Sequence, residues 1–189
     1  MNLSQSAGST GLSAITALLN SGTLVAYQGA IPASPETALS GQTALATWTF
    51  ASTAFGTPTY GSGYETATAS FTSASESPTV NGTACFARLF ESNGTSVVLD
   101  MTIAAPWQAS TNVIVGQYVT NGGNLYVCTT AGVTATSGGP TGTGTGIADN
   151  TAVWNYVKAG SADMTVGSTT FSTGTSVDIS SLTMSIPVV

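Results

Sequence analysis

Over residues 9–20, STGLSAITALLN, the apolar side chains Leu12, Ile15, Leu18 and Leu19 recur at three- and four-residue spacing, the period of one helical face. Ser9 or Thr10 is placed to cap it, so one short helix is expected near the N-terminus. From Thr23 onward the period falls to two. Short runs rich in Thr, Val and aromatics alternate with Gly, Pro, Asn and Ser clusters, the texture of an all-β chain. The pattern predicts strands over 23–28, 44–51, 64–71, 83–91 and 96–103.

Within the second of these, Ala44, Ala46, Trp48 and Phe50 fall on one face and Leu45, Thr47 and Thr49 on the other, so the first is the expected core face. In the fourth, Ala84, Phe86, Arg88 and Phe90 alternate with Cys85, Ala87 and Leu89. Both sides are largely apolar, which predicts a central or covered strand and leaves Arg88 in need of a partner. Asn81-Gly82 and Asn93-Gly94 flank it and read as tight turns, giving a meander through 80–103. Residues 176–189 form a last strand region. There Val177 and Ile179 are out of phase with Leu182, Met184 and Ile186, which predicts a bulge near Ser180 and Ser181, and Pro187 suits an edge or a strand end.

Between Ile103 and Gly160 the texture shifts. Aromatics concentrate in this stretch, and 136–149 is almost entirely Gly, Thr and Ser around Pro140, which reads as a long flexible loop. A small β meander is expected: a strand over 118–120, a turn at 121–124, a return strand over 125–130 and a closing strand over 152–157. The expected organisation is therefore a discontinuous β domain, 1–103 plus 160–189, carrying an inserted module at 104–159.

Composition narrows the function classes. Only 5% of residues are charged, and hydroxyls supply most of the polarity, so the surface should be nearly neutral and suited to contacts with copies of itself or a large neighbour. The net charge of −6 sets eight scattered carboxylates against Arg88 and Lys158, leaving no basic patch for direct nucleic-acid binding. No apolar run is long enough to span a membrane, and no cationic secretory start is present, so synthesis in the cytoplasm and no membrane partner are expected. Cys85 and Cys128 sit in strand-like settings; a bridge between them, or from either to another chain, is a weighed option.

With no His in the chain, Ser-His and Cys-His nucleophiles and His-based zinc sites are excluded. A paired-carboxylate hydrolase would need two acids in one cleft, and none lies near another in sequence, so no catalytic residue, metal or cofactor is expected. Asp149 and Asp163 lie beside Gly and Ser runs without a calcium-ligand repeat. Gly142, Gly144 and Gly146 lack the strand-to-helix context of a phosphate loop. The candidate ligand contacts are the aromatics Trp107, Tyr118, Tyr126, Trp154 and Tyr156, whose flat faces and polar edges suit sugar rings or, equally, the core of a small module. Tyr60 and Tyr64, in TYGSGY, are expected to meet a neighbouring subunit.

Two resemblances cover most of the chain. GTLVAYQGAIPASPETALSGQTALATWTFASTAFG at 22–56, NGTACFARLFESNGT at 81–95 and SVDISSLTMSIP at 176–187 look like a family of small phage virion proteins. That resemblance implies an antiparallel two-sheet β-sandwich that builds or coats the particle. The chain departs from the pattern at Cys85 and Phe86, where an aromatic pair is commoner. WQASTNVIVGQYVTNGGNLYVCTTAGVTATSGGPTGTGTGIADNTAVWNYV at 107–157 is similar to chitin-binding-like modules of phage appendages, through Gly-x-Tyr-Val, Asn-x-Tyr-Val-Cys, Ser-Gly-Gly-Pro-Thr-Gly and Asp-x-Thr-x-x-Trp. Together they imply a non-enzymatic virion component: a capsid decoration or neck protein, homo-oligomeric, docked on major capsid, neck or tail subunits. The alternative is a tail or fibre adsorption protein that binds host glycans.

Overall fold

A computed structural model describes residues 3–179 and 181–189. Its one helix, α1 (Gln5–Ala17), starts earlier than the apolar spacing suggests: Ser4 is the N-cap, its hydroxyl accepting from the Ala7 amide, and Ser9 and Thr10 lie inside the helix. The first turns are made of small and polar residues, so the pattern is silent there. Gly8 is buried in the helix, and a Cβ at this position would collide with Val188. Leu12 and Leu19 enter the core, while Ile15 and Leu18 remain exposed.

The rest is β structure, as expected. The principal strands are β1 (Thr23–Gln28), β2 (Thr43–Phe55), β3 (Thr59–Gly61), β4 (Tyr64–Phe71), β5 (Phe86–Phe90), β6 (Val97–Pro106), β7 (Tyr118–Asn121), β8 (Asn124–Thr130), β9 (Ile147–Asp149), β10 (Ala152–Ala159) and β11 (Thr183–Pro187). They join in one hydrogen-bonded path, β9-β10-β8-β7-β6-β5-β1-β2-β4-β11, with β3 alongside β4. Pro187 ends β11 at the edge of that path, where its missing N–H costs no ladder bond. Of the bulge expected near Ser180 and Ser181, Ser180 lies outside the described residues.

β2 turns the sheet around the core. Its first half pairs with β1 over 43–49, and its second half meets β4 at Phe50 and Phe55, with a register shift between. A strand shared by two ladders in this way bends one layer over the other. Ala46, Trp48 and Phe50 are buried on the predicted face and Thr47 and Thr49 are exposed. The alternation breaks at Leu45: Ala26 pairs with Ala46 but Tyr27 with Ala44, so Leu45 is an extra residue that turns fully inward and leaves Ala44 exposed. Trp48 meets the ring of Phe171 edge to face, and Phe50 stacks on Phe71.

β5 is central, between β1 and β6, and Phe86 to Leu89 are buried. The loop to β6 contains Asn93-Gly94 as predicted; Asn93 Oδ1 accepts from the amides of Thr95 and Ser96, and Gly94 has φ +70°. Asn81-Gly82 is not a hairpin turn. Gly82 instead pairs with Phe171 in a short two-stranded ladder, and a Cβ there would press on Leu45 and Gln28, so this glycine serves close packing.

Two pairings depart from an antiparallel sandwich: β7 and the two-residue strand Met164–Thr165 both run parallel to β6. β6 pairs with β5 over 97–102, then extends past residue 103 to pair with β7 through Ala104, Ala105 and Pro106. The chain is thus hydrogen-bonded continuously across the expected module boundary. Among the described residues no helix is long and apolar enough to cross a membrane.

Candidate functional site

The inserted region has its own small core, Val113, Val119, Tyr126, Cys128, Ala152 and Trp154, with Trp107, Ile147 and Tyr156 packed against it. The period of two explains which aromatics meet. On β7 and β8, Val119 and Tyr126 face this core, whereas Tyr118 and Leu125 face the opposite side and pack with Ala104 and Ala162. Four of the five candidate aromatics therefore come together and Tyr118 stands apart, buried against the outer part of the chain.

At the centre is Asp149, at the end of β9 and 4% exposed. Its Oδ2 accepts the indole N–H of Trp107 at 2.8 Å and that of Trp154 at 3.0 Å, while Oδ1 accepts the Ala135 amide at 2.9 Å. One carboxylate thus orients both tryptophans and ties down the start of the Gly/Thr loop, with charge-assisted bonds that are stronger than neutral ones. In the same motif, Thr151 accepts the Val133 amide at 2.7 Å and Trp154 is fully buried. Read as a sequence, Asp-x-Thr-x-x-Trp offers these residue types without saying that the acid answers to both tryptophans.

The stretch 136–149 is strapped rather than free-running. Asn121 Nδ2 donates to the carbonyls of Gly138 and Pro140, and the Tyr126 hydroxyl donates to Gly142 O at 3.0 Å. Gly139 has φ +72° and lies so close that a Cβ would press on Trp107 and Asn121. Tyr156 meets Tyr126 edge to face. Tyr126 and Trp154 are buried, so the aromatic surface left toward solvent is that of the half-buried Trp107 and Tyr156.

Trp107 lines a cleft of about 310 Å³ between the inserted region and the outer part, together with Gln108, Asn112, Gln117, Thr134 and Thr169. Gln117, buried, is held across it: its Nε2 donates to Thr169 Oγ1 and its Oε1 accepts from the Ile114 amide. The cleft pairs one indole with amide and hydroxyl groups and has no carboxylate among its lining residues.

The acids beside the Gly and Ser runs have protein donors. Besides Asp149, Asp163 accepts from the Thr102 amide and hydroxyl at 2.9 and 2.8 Å and from Lys158 at 3.2 Å. Burial acts to raise its pKa, but these donors outweigh burial and hold the carboxyl below its ordinary value. No group of three potential metal-ligating His, Cys, Asp or Glu residues occurs among the described residues. Cys85 and Cys128 are free thiols, both buried, so the intrachain bridge is not formed. Desolvation pushes the Cys85 thiol up to about 11 and also raises Cys128.

Comparison of the chain with protein-family models, with curated proteins and with solved structures finds no match.

Proposed function

We propose that this chain is a non-enzymatic structural component of a bacteriophage particle, a capsid decoration or neck protein that docks on other virion subunits and projects the 104–159 region. The observation that carries this reading is where the side chains with chemistry are directed. Asp149, Asp163, Asp100 and Arg88 all bond to other parts of the chain, tying loops to sheets, while large aromatics are left outside on a tight hairpin. In that hairpin, Ser62 (φ +52°) and Gly63 (φ +81°) form the two-residue turn between β3 and β4, and Tyr60 and Tyr64 flank it at 54% and 48% exposure. Exposed tyrosines on a stiff, neutral, hydroxyl-rich surface suit assembly, and repetition on a symmetric particle multiplies weak contacts. The resemblance of 22–56, 81–95 and 176–187 to small virion proteins supports the same reading.

A second reading is favoured by one feature, the cleft beside Trp107, whose indole, amides and hydroxyls suit a sugar ring. In it the chain is a tail or fibre adsorption protein that grips host glycans. A cryo-electron microscopy map of the intact particle tests both. Many copies around the head or neck are expected for the structural reading. A few copies at a tail tip, with binding of chitin oligosaccharides lost in Trp107→Ala, would replace it with the second, and a particle without the chain would overturn both.

A further inference from the structure

Residues 136–146 form a loop whose ends are pinned together: Asp149, shortly after it, accepts the amide of Ala135, just before it. Little holds the middle. Among the described residues, Asn121 Nδ2 donates to Gly138 O and Pro140 O, the Tyr126 hydroxyl to Gly142 O, the Tyr156 amide to Gly144 O at 2.9 Å and the Gly146 amide to Asn155 Oδ1 at 2.9 Å. Within the loop Pro140 is buried, Gly139 is half-buried and the rest is exposed. Gly138, Gly139, Gly142, Gly144 and Gly146 lie in it, and glycine is the residue that regains most freedom when a segment is released. A segment with few buried contacts and no strand ladder of its own opens at lower free energy than the sheet beneath it.

Aromatic rings lie under this loop. A Cβ on Gly139 would press on Trp107, and the hydroxyl that reaches Gly142 belongs to Tyr126, 1% exposed and edge-on to Tyr156. We propose that residues 136–146 are a lid that opens as a unit while β7, β8 and β10 keep their ladders. Closed, it covers Tyr126 and the Gly139 side of Trp107. Open, it leaves Trp107, Tyr126 and Tyr156 exposed as one aromatic strip. Asp149 lies outside the lid and goes on holding the Trp107 and Trp154 indoles, so these rings keep their orientation in both states. Asn121 and Tyr126 are the clamps that set the balance, because their bonds to Gly138, Pro140 and Gly142 exist only when the lid is closed. A ligand that stacks on the strip meets only the open fraction, and its apparent affinity is lowered by that fraction. The opening needs no partner, so it goes beyond both readings of function and belongs to the isolated chain.

The test is amide hydrogen exchange of the ¹⁵N-labelled full chain, followed by NMR, together with nitration of its tyrosines by tetranitromethane. The Tyr156 amide bonds to the lid and the Gly146 amide bonds from it. Both are expected to exchange faster than the amides inside the β7–β8 and β8–β10 ladders, at rates that low urea leaves unchanged. Asn121→Ala and Tyr126→Phe each remove clamp bonds, and each should speed both amides by about threefold to tenfold without changing the ladders. Nitration of Tyr126 should rise by the same factor in Asn121→Ala. Tyr126→Phe keeps the ring, so it carries the exchange test if Asn121→Ala does not fold. Exchange of the two amides only along with the whole sheet, no response to either variant, or faster amides without faster Tyr126 nitration would overturn the lid.

Discussion

Arg88 and Asp100 stand directly opposite each other on β5 and β6, and the carboxylate takes the guanidinium in two prongs, Nε to Oδ1 at 2.7 Å and Nη2 to Oδ2 at 2.8 Å. The remaining nitrogen, Nη1, donates to Thr37 O at 3.0 Å, so one buried pair also anchors the loop between β1 and β2. Asp100→Ala leaves a buried cation unpaired and should cost about 3–5 kcal/mol in urea denaturation, whereas replacing both residues, as Arg88→Met with Asp100→Leu, should cost much less. Equal losses in the two variants would show that the charge pair is not what matters at this position.

Asp149 holds two indoles and a backbone amide, so Asp149→Ala strands three donors at once. A loss of about 3 kcal/mol or more is expected, with a red shift of tryptophan emission as Trp107 and Trp154 loosen. An unshifted spectrum with native stability would remove Asp149 from its central place.

Two glycines in the same loop should respond oppositely. Gly139 has positive φ and no room, so Gly139→Ala should cost roughly 1–3 kcal/mol, while a Cβ at Gly144 meets nothing, and Gly144→Ala should change stability by less than about 0.5 kcal/mol. Thermal melts of the pair give the comparison.

Asp163 has a folded pKa below its ordinary value, so the unfolded chain binds this proton more readily than the folded one. Its contribution is complete above the unfolded pKa and disappears as pH falls through the folded value. Asp163→Asn should therefore flatten the acid limb of the stability curve and leave stability near pH 8 independent of small pH changes. The carboxylate and Lys158 are partly exposed, so added salt should shrink the difference.

Both thiols are buried, and Cys85 is pushed up to about 11. At pH 8 neither should react with Ellman's reagent in the folded chain, and both should react in urea. Rapid reaction of the folded protein would place a thiol at the surface.

The strands at 23–28 and 64–71 were legible to the residue, because Thr, Val and aromatic runs between turn-formers leave few alternatives. The need of Arg88 for a partner was legible too, since a cation on a strand apolar on both sides must be answered. That the answer is Asp100 depends on cross-strand register, which the alternation does not encode. Strand direction is equally silent: a period of two looks the same in parallel and antiparallel ladders, so the pairing of β7 with β6 was out of reach. Leu45 broke the face assignment because an inserted residue shifts the phase locally without changing composition. The aromatics of 107–156 were found, but their division into two sides follows from which of Tyr118 and Val119 points inward. The burial of Glu65 on β4 gave no signal, because one acid in a Thr-rich strand resembles any solvated one.

β6 is gripped by β5 along its first half and by β7 along its second. A pull applied to the projecting region that passes through β6 therefore runs lengthwise beside its neighbours and loads the hydrogen bonds on both flanks in shear. Such bonds yield together rather than opening one after another from an end. Strain on the 104–159 region that travels through β6 would be delivered to the central sheet as to a lap joint.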